Sequence, residues 1–388
     1  MKKKERAATT YAFFDIASDS VSAAYVSLGG ELARPYFWYT DTVSFEPVGT
    51  DFKRYFEGML AALHQVASNL DREHIGSPDK VAYILHAPWS VSQSVSVAKT
   101  FDAKKPVKLS SELMRKLAEE EIERFRKTQL KNQGIGEGAV IMETSIGSLS
   151  INGYPAILKE GLKVQNLSFR MFVSLAPEDV RESVEMTIRR FFNREVIESS
   201  SFLSLAERAL AEKIVNKKDF IMVEVGSILT EMSLFKSGVI KESFTIPYGI
   251  RQFLKQVAEN YKHPVSSLRP LFRMLKEGAL RDDVKISFEK AVLASMADWQ
   301  RAMTLGLSNL GNTSALPSSF YLMADPFLGR FFGEAITHDE FSQYLATSEP
   351  FSVIILERQS LGLYSDVDTF SEVPSSVIIE AVALSTYE

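Results

Sequence analysis

Phe220-Ile221-Met222-Val223-Glu224-Val225 (FIMVEV) reads as a strand, followed by a turn at Gly226-Ser227, a strand across Met232–Phe235, a turn at Lys236-Ser237-Gly238 and a strand from Val239 to Ile246. The same pattern stands near the N-terminus. Tyr11-Ala12-Phe13-Phe14-Asp15-Ile16 (YAFFDI) leads through the turn Ala17-Ser18-Asp19-Ser20 to a strand over Val21–Leu28, a Gly29-Gly30 turn and a third strand around Tyr36–Thr40. Asp15 precedes Gly29 by fourteen positions, as Glu224 precedes Gly238, and Ser18 and Ser227 each stand three residues after the acid. Each meander runs into a helix, Phe52–Leu70 in the first half and Ile250–Tyr261 in the second. A repeat on that scale predicts a duplicated α/β architecture, although strand–turn–strand is also among the commonest local patterns in α/β proteins.

Between the halves the character changes. Ser110 caps a predicted helix from about Glu112 to Leu130, whose Leu113, Leu117 and Phe125 form an apolar stripe beneath charged faces. A loop over 132–138 follows, then strands at Ala139–Thr144, Ser148–Ile151 and Leu167–Ser174, with a tight turn at Asn152-Gly153. Pro177–Phe192 returns to helix, and Val196–Leu203 leads into the helix carrying Glu207 and Arg208. Beyond Gly249 the chain is nearly all helix to about Leu310, at Ile250–Tyr261, Val265–Glu277 and Val284–Leu310. Strands at Phe320–Met323 and Phe351–Leu356 and a last helix over Ser376–Ser385 close it.

Composition removes several function classes. The 388 residues carry 44 Lys+Arg against 49 Asp+Glu, a net charge of −5, so no basic footprint for nucleic acid exists. The absence of Cys excludes disulfides, thiolate nucleophiles and Cys-ligated zinc. The His residues at 64, 74, 86, 263 and 338 never fall at local metal-ligand spacing, and none stands beside a G-x-S-x-G motif. Met1-Lys2-Lys3-Lys4 reads as a solvated tail, since Glu5, Arg6 and Asp15 interrupt any apolar signal core. No stretch approaches the ~20 apolar residues of a spanning helix, so any work at a membrane goes through a partner.

Asp15-Ile16-Ala17-Ser18 with its hairpin resembles the first phosphate loop of actin-like ATPases. Val223-Glu224-Val225-Gly226-Ser227, continuing through Thr230-Glu231 to Ile246-Pro247-Tyr248-Gly249, resembles the second. Ile151-Asn152-Gly153-Tyr154-Pro155, the helix with Arg273-Met274-Leu275-Lys276-Glu277-Gly278 and the order of elements are similar to the FtsA/PilM type of that superfamily, and to FtsA in particular. The resemblance runs from about Tyr11 to Ser385. It implies an actin-like, ribonuclease H-like duplicated two-lobed α/β fold with an inserted small α+β subdomain and a helical subdomain. The implied divisions are lobe 1 at 9–100, an SHS2-like insert at 101–170, the return of lobe 1 at 171–212, lobe 2 at 213–249, the helical subdomain at 250–312 and the return of lobe 2 at 313–388.

The resemblance also implies a site. Asp15, Ala17, Ser18, Glu224, Gly226, Ser227, Gly249, Ala324 and Asp325 stand where ATP would be held, with Asp15 and Glu224 as magnesium carboxylates and Glu224 as the one catalytic candidate. Several positions depart from the pattern. Ala17 replaces a Gly, at about 1–2 kcal/mol if the position is left-handed. Glu224 replaces an Asp, Gly249-Ile250 keeps half of a Gly-Gly pair, and Ala324-Asp325-Pro326 replaces a Gly-Gly and sets an anion toward the nucleotide. Weak or absent ATP hydrolysis is the expectation.

The implied job is a cytoplasmic scaffold, peripheral at the inner face of the cell membrane, that self-associates or docks a cell-division partner. A PilM-like role in type IV pilus assembly, binding a membrane partner's peptide, is the alternative, because the chain ends at Thr386-Tyr387-Glu388 without the amphipathic tail of FtsA. A kinase or active ATPase of the same superfamily is the third reading. Each signal has a plainer counterpart: Asp15 and Glu224 as turn or capping acids, His86 beside Pro88-Trp89 as ordinary packing, Gly134-Ile135-Gly136-Glu137-Gly138 as a flexible loop, the 112–130 helix as a solvated face, and Trp38 and Trp299 as core residues.

Overall fold

The computed structural model describes residues 7–46, 51–102, 107–133, 138–311, 315–337, 339–345, 351–366 and 373–387. The lysine-rich start and most of the glycine loop at 134–138 lie outside the described residues. Strands β1 (Thr9–Ile16), β2 (Ser20–Leu28) and β3 (Tyr36–Ser44), helix α1 (Phe52–Arg72) and β4 (Lys80–Leu85) build the first lobe. β5 (Val91–Thr100), β6 (Val107–Lys108), α2 (Ser111–Gln133), β7 (Ala139–Ile151), β8 (Tyr154–Ala156), β9 (Lys163–Val164) and β10 (Asn166–Pro177) form the insert. The chain returns through α3 (Glu178–Arg189), β11 (Glu198–Ser201) and α4 (Phe202–Ala209). The second lobe holds β12 (Phe220–Val225), β13 (Thr230–Lys236), β14 (Val239–Ile246), α5 (Ile250–Tyr261), α6 (Leu268–Lys276), α7 (Asp282–Leu310), β15 (Ser319–Met323), α8 (Gly329–Ile336), β16 (Ser352–Ile355), α9 (Arg358–Leu361) and α10 (Ser375–Leu384).

The duplication is explicit in the sheets. The first lobe orders its strands β11-β4-β1-β2-β3 and the second β16-β15-β12-β13-β14. In each, an antiparallel meander of three is extended by two parallel strands. Period-two alternation then sorts side chains into layers. Tyr11 and Phe13 face an inner core with Phe220 and Met222, whereas Phe14 and Ile16 pack outward under α1 and α3. Ile221 and Val223 pack outward under α5, α7 and α8. Helices α4 and α10 fill the space between the sheets, supplying Phe202, Leu205, Val377 and Ile379 to the inner core. Asp15 shares the parity of Tyr11 and Phe13, and Glu224 that of Phe220 and Met222, so both acids point inward at these helices. They are not turn or capping acids.

The insert has its own core of Met114, Leu117 and Phe125 against Val97, Phe169 and Met171. Its sheet runs β5-β10-β7-β8, so the edge expected at 101 falls just after β5, which belongs to the insert's sheet, and the edge expected at 170 falls inside β10. β7 is one bulged strand where two were expected, because the shifts in pairing with β10 near Phe169–Met171 absorb the turn-like Gly147. Asn152 and Gly153 adopt φ of 51° and 86°, as the two-residue turn requires.

Trp299 is buried, as expected, and donates its indole N–H to Thr230 Oγ1 at 3.2 Å. Trp38 is not in the core. It is 50% exposed, because β3 is an edge strand and the alternation turns Trp38 to the solvent face, where its indole bonds Ser27 Oγ at 2.7 Å. Among the described residues no helix is long and apolar enough to cross a membrane.

Candidate functional site

His86 follows β4 directly, and its backbone N–H bonds the Ile16 carbonyl at 3.1 Å, which sets the residue beside Asp15. It continues the inward parity of Ala82 and Ile84. The imidazole stacks on Phe202 of α4, with ring centroids 4.1 Å apart. Its Nδ1 lies 2.8 Å from Glu224 Oε1 of the other lobe. Its Nε2 lies 2.9 Å from Asp15 Oδ1 and 3.3 Å from Glu380 Oε1 of α10. His86 and Asp15 are 3% and 2% exposed and Glu380 is wholly enclosed. Ser376 Oγ donates to the other Asp15 oxygen at 2.6 Å.

Burial opposes a charge on His86, but the carboxylates of Glu224 and Asp15 outweigh it and hold its pKa well above the ordinary value. Burial, and then the charge of Asp15, push Glu380 well up against the opposing influence of His86. Glu231, opposite Glu224 in the β12–β13 pairing, is raised to about 8 by burial and by Glu224. The His86 ring thus meets acids of both lobes and of α10.

The expected site residues come together at this junction, in an arrangement of their own. Asp15 and Glu224 do not converge on one metal position: the His86 ring stands between them, one acid at each ring nitrogen. Ala17 is not left-handed; its N–H bonds the Ser20 carbonyl at 3.0 Å and its carbonyl takes the Trp89 indole N–H at 2.8 Å, so it carries no strain of the kind the Gly pattern implied. Ser18 Oγ accepts the backbone N–H of Ser227 at 2.9 Å, joining the two loops directly. The N–H groups of Ile250 and Arg251, at the start of α5, bond the carbonyls of Gly226 and Ser227, both at 2.9 Å, and Gly226 N–H bonds Leu229 O at 2.9 Å.

Ala324 packs into the core of the second lobe. Asp325 pairs with Arg269 at 3.0 Å and receives the Phe327 N–H at 2.8 Å, so its charge is engaged by the protein. Asp19 feels the same group: burial raises its pKa while Arg269 and a Ser227 hydrogen bond lower it.

The resemblance assigns ATP and magnesium to this cleft. Phosphate recognition needs free backbone N–H groups at loops and helix N-termini. Those of Gly226, Ser227, Ile250 and Arg251 all bond the protein itself, and the acids around His86 repel an anion. The described residues do not fit Mg-ATP in this arrangement.

Sequence reasoning set His86 down as ordinary packing and did not single out Glu380, Ser376 or Arg269. One signal was present: Glu380 is the only charged residue in α10 (SSVIIEAVAL), and a lone acid in an otherwise apolar buried helix requires a partner. Beside the junction opens a pocket of about 840 Å³, lined by Phe52, Tyr55 and Trp89 and by the acids Asp51, Glu178, Asp179 and Glu182. Tyr55 and Trp89 stack with centroids 4.5 Å apart. None of its lining residues is basic.

Two lobes of identical strand order, closed over paired loops, decide the architecture, and comparison with solved structures agrees. A chain of a PilM–PilN type IV pilus biogenesis complex matches with a TM-score of 0.60 at 13% identity, over 97% of this chain and 98% of its own. The fold is actin-like. The ethanolamine utilization protein EutJ from Carboxydothermus hydrogenoformans matches with a TM-score of 0.46 at 10% identity, over 97% of this chain and 89% of its own. A protein of actin-like ATPase fold and unknown function from Bacteroides thetaiotaomicron gives 0.45 at 8%, over 98% and 96%. No protein-family model and no curated protein matches the sequence. At such identities the likeness speaks for the actin-like fold alone.

Proposed function

We propose that this actin-like protein is a docking scaffold that works without ATP hydrolysis and captures a short basic segment of a protein partner, as a PilM-like component of a membrane-associated assembly. The observation that carries the reading is the acidic, aromatic-lined pocket between the first lobe, the root of the insert and Ile228–Leu229 of the second. Acid walls beside the exposed ring of Phe52 suit Arg or Lys flanked by apolar residues, through charge and cation–π attraction. The PilM neighbour comes from a complex with PilN, which supports a partner role. The division-scaffold reading rests on the sequence resemblance alone. Nucleotide has no part in the proposal, because the donors that would hold phosphate are engaged within the protein. Location at the inner face of a membrane, through the partner, belongs to the same proposal.

A fluorescent peptide with two arginines flanking leucines tests the pocket by anisotropy. Saturable binding that weakens with salt is expected, falling about tenfold or more in Glu178→Lys and Glu182→Lys, since reversing a charge at a partner's cation turns attraction into repulsion. Affinity unchanged in both variants, or no binding to the unmodified protein, contradicts the reading.

A further inference from the structure

Pairing with His86 leaves part of the acid cluster at the junction unsatisfied. Glu380 Oε2 and Asp15 Oδ1 are buried and have no hydrogen-bond partner. The 2.9 Å approach of His86 Nε2 to Asp15 Oδ1 is a close contact without the direction of a hydrogen bond. A carboxylate oxygen without a donor, as at Glu380 Oε2, and one met only by a poorly directed ring nitrogen, as at Asp15 Oδ1, are costly when enclosed from water. Both belong to groups that converge on the same ring nitrogen.

We propose that Asp15, His86 and Glu380 bind a divalent metal ion of the zinc class, clasping β1, β4 and α10 together beneath the second lobe. The three residues can each offer a ligand atom within 4.8 Å of the others. Tetrahedral bonds of about 2.0–2.1 Å place ligand atoms about 3.3 Å apart. The contacts of 2.9 and 3.3 Å at Nε2 require only slight opening.

Glu224 completes the pattern. Its carboxylate accepts from Nδ1 at 2.8 Å, which fixes the tautomer that leaves the Nε2 lone pair for a metal; carboxylate–imidazole–metal relays have this form. The donor set also selects the ion. One imidazole with two carboxylates suits zinc and its neighbours, whereas magnesium prefers octahedral oxygen and retained waters. The site is thus unlike a magnesium ion carried by nucleotide phosphates: it binds metal through side chains alone, one of them from α10. It stands independently of peptide docking.

The test uses the full chain, stripped with EDTA and dialysed, then titrated with Zn²⁺, Co²⁺ or Mg²⁺ alone. One equivalent of zinc, a saturable rise in Tm and the visible bands of four-coordinate Co²⁺ are expected, with no response to millimolar Mg²⁺. Near-isosteric Asp15→Asn and Glu380→Gln, which keep the volume of the cluster, are expected to abolish the Co²⁺ bands with folding retained by circular dichroism. Glu224→Gln is expected to weaken zinc 10–100-fold. Less than a tenth of an equivalent bound, or Co²⁺ bands that persist in Glu380→Gln and Asp15→Asn, overturns the site. If both variants fail to fold, the stoichiometry and Co²⁺ spectrum of the unmodified protein decide the matter.

Discussion

Replacing Gly249 with alanine is expected to destabilise the second lobe by about 3 kcal/mol or more, read from urea denaturation, because overpacking against backbone cannot relax by a change of rotamer. A Cβ at this position would stand 2.4 Å from the Ser227 carbonyl oxygen, 2.6 Å from that of Gly226 and 2.6 Å from the Ile228 carbonyl carbon. Gly249 has φ of −128° and ψ of −173°, so close approach rather than backbone strain requires the glycine. The same carbonyls hold the first N–H groups of α5, and moving them loosens the loop and the helix start together. Gly147→Ala is the control: its nearest neighbour would be the Arg170 carbonyl at 3.7 Å, and little change is expected. Equal stability of the two variants would refute the packing argument.

Trp89→Ala is expected to cost about 3–5 kcal/mol, the usual range for removing a buried Trp, and to abolish peptide capture. Trp89 is fully buried, stacks on Tyr55, and donates its indole N–H to the Ala17 carbonyl. Tyr55 in turn donates its hydroxyl to the Ser18 carbonyl at 2.5 Å. One aromatic pair thus supports the pocket from behind and holds the first loop in the shape that meets Ser227. Trp89→Phe keeps most of the packing and loses the hydrogen bond. It is expected to lose about 1–3 kcal/mol, because the buried carbonyl is left without its donor. Stability and peptide affinity both unchanged in Trp89→Ala would remove Trp89 from the account.

Local chemistry made much of the fold readable. The period-two runs at Tyr11–Ile16 and Phe220–Val225, each ended by a turn and followed by a second and third strand, identified both meanders, and the matching positions of Asp15 and Glu224 identified the repeat. What escaped was nonlocal. β4 lies buried on both faces between β11 and β1 and reads as a short apolar run, Val81-Ala82-Tyr83-Ile84-Leu85, with no alternation to mark it. His86 gains its meaning only when Glu224, 138 residues on, and Glu380, 294 residues on, fold against it. Beside Pro88-Trp89 it looks like packing, and packed it is, but among acids. Ala17 and Asp325 read as damage to a nucleotide site; in the fold one closes an unstrained turn and the other is neutralised by Arg269. Trp38 misled because an edge strand in a meander has the same composition as a covered one.

The measurement that bears most directly on nucleotide independence is a thermal-shift titration of the metal-stripped protein with Mg-ATP and Mg-ADP to millimolar concentration. A ligand that binds only the native state raises Tm in proportion to the logarithm of its concentration over Kd. With the N–H groups of Gly226, Ser227, Ile250 and Arg251 already bonded within the protein, no shift is expected with either nucleotide. A saturable rise in Tm that Asp15→Ala removes would contradict the account and restore the cleft as a nucleotide site.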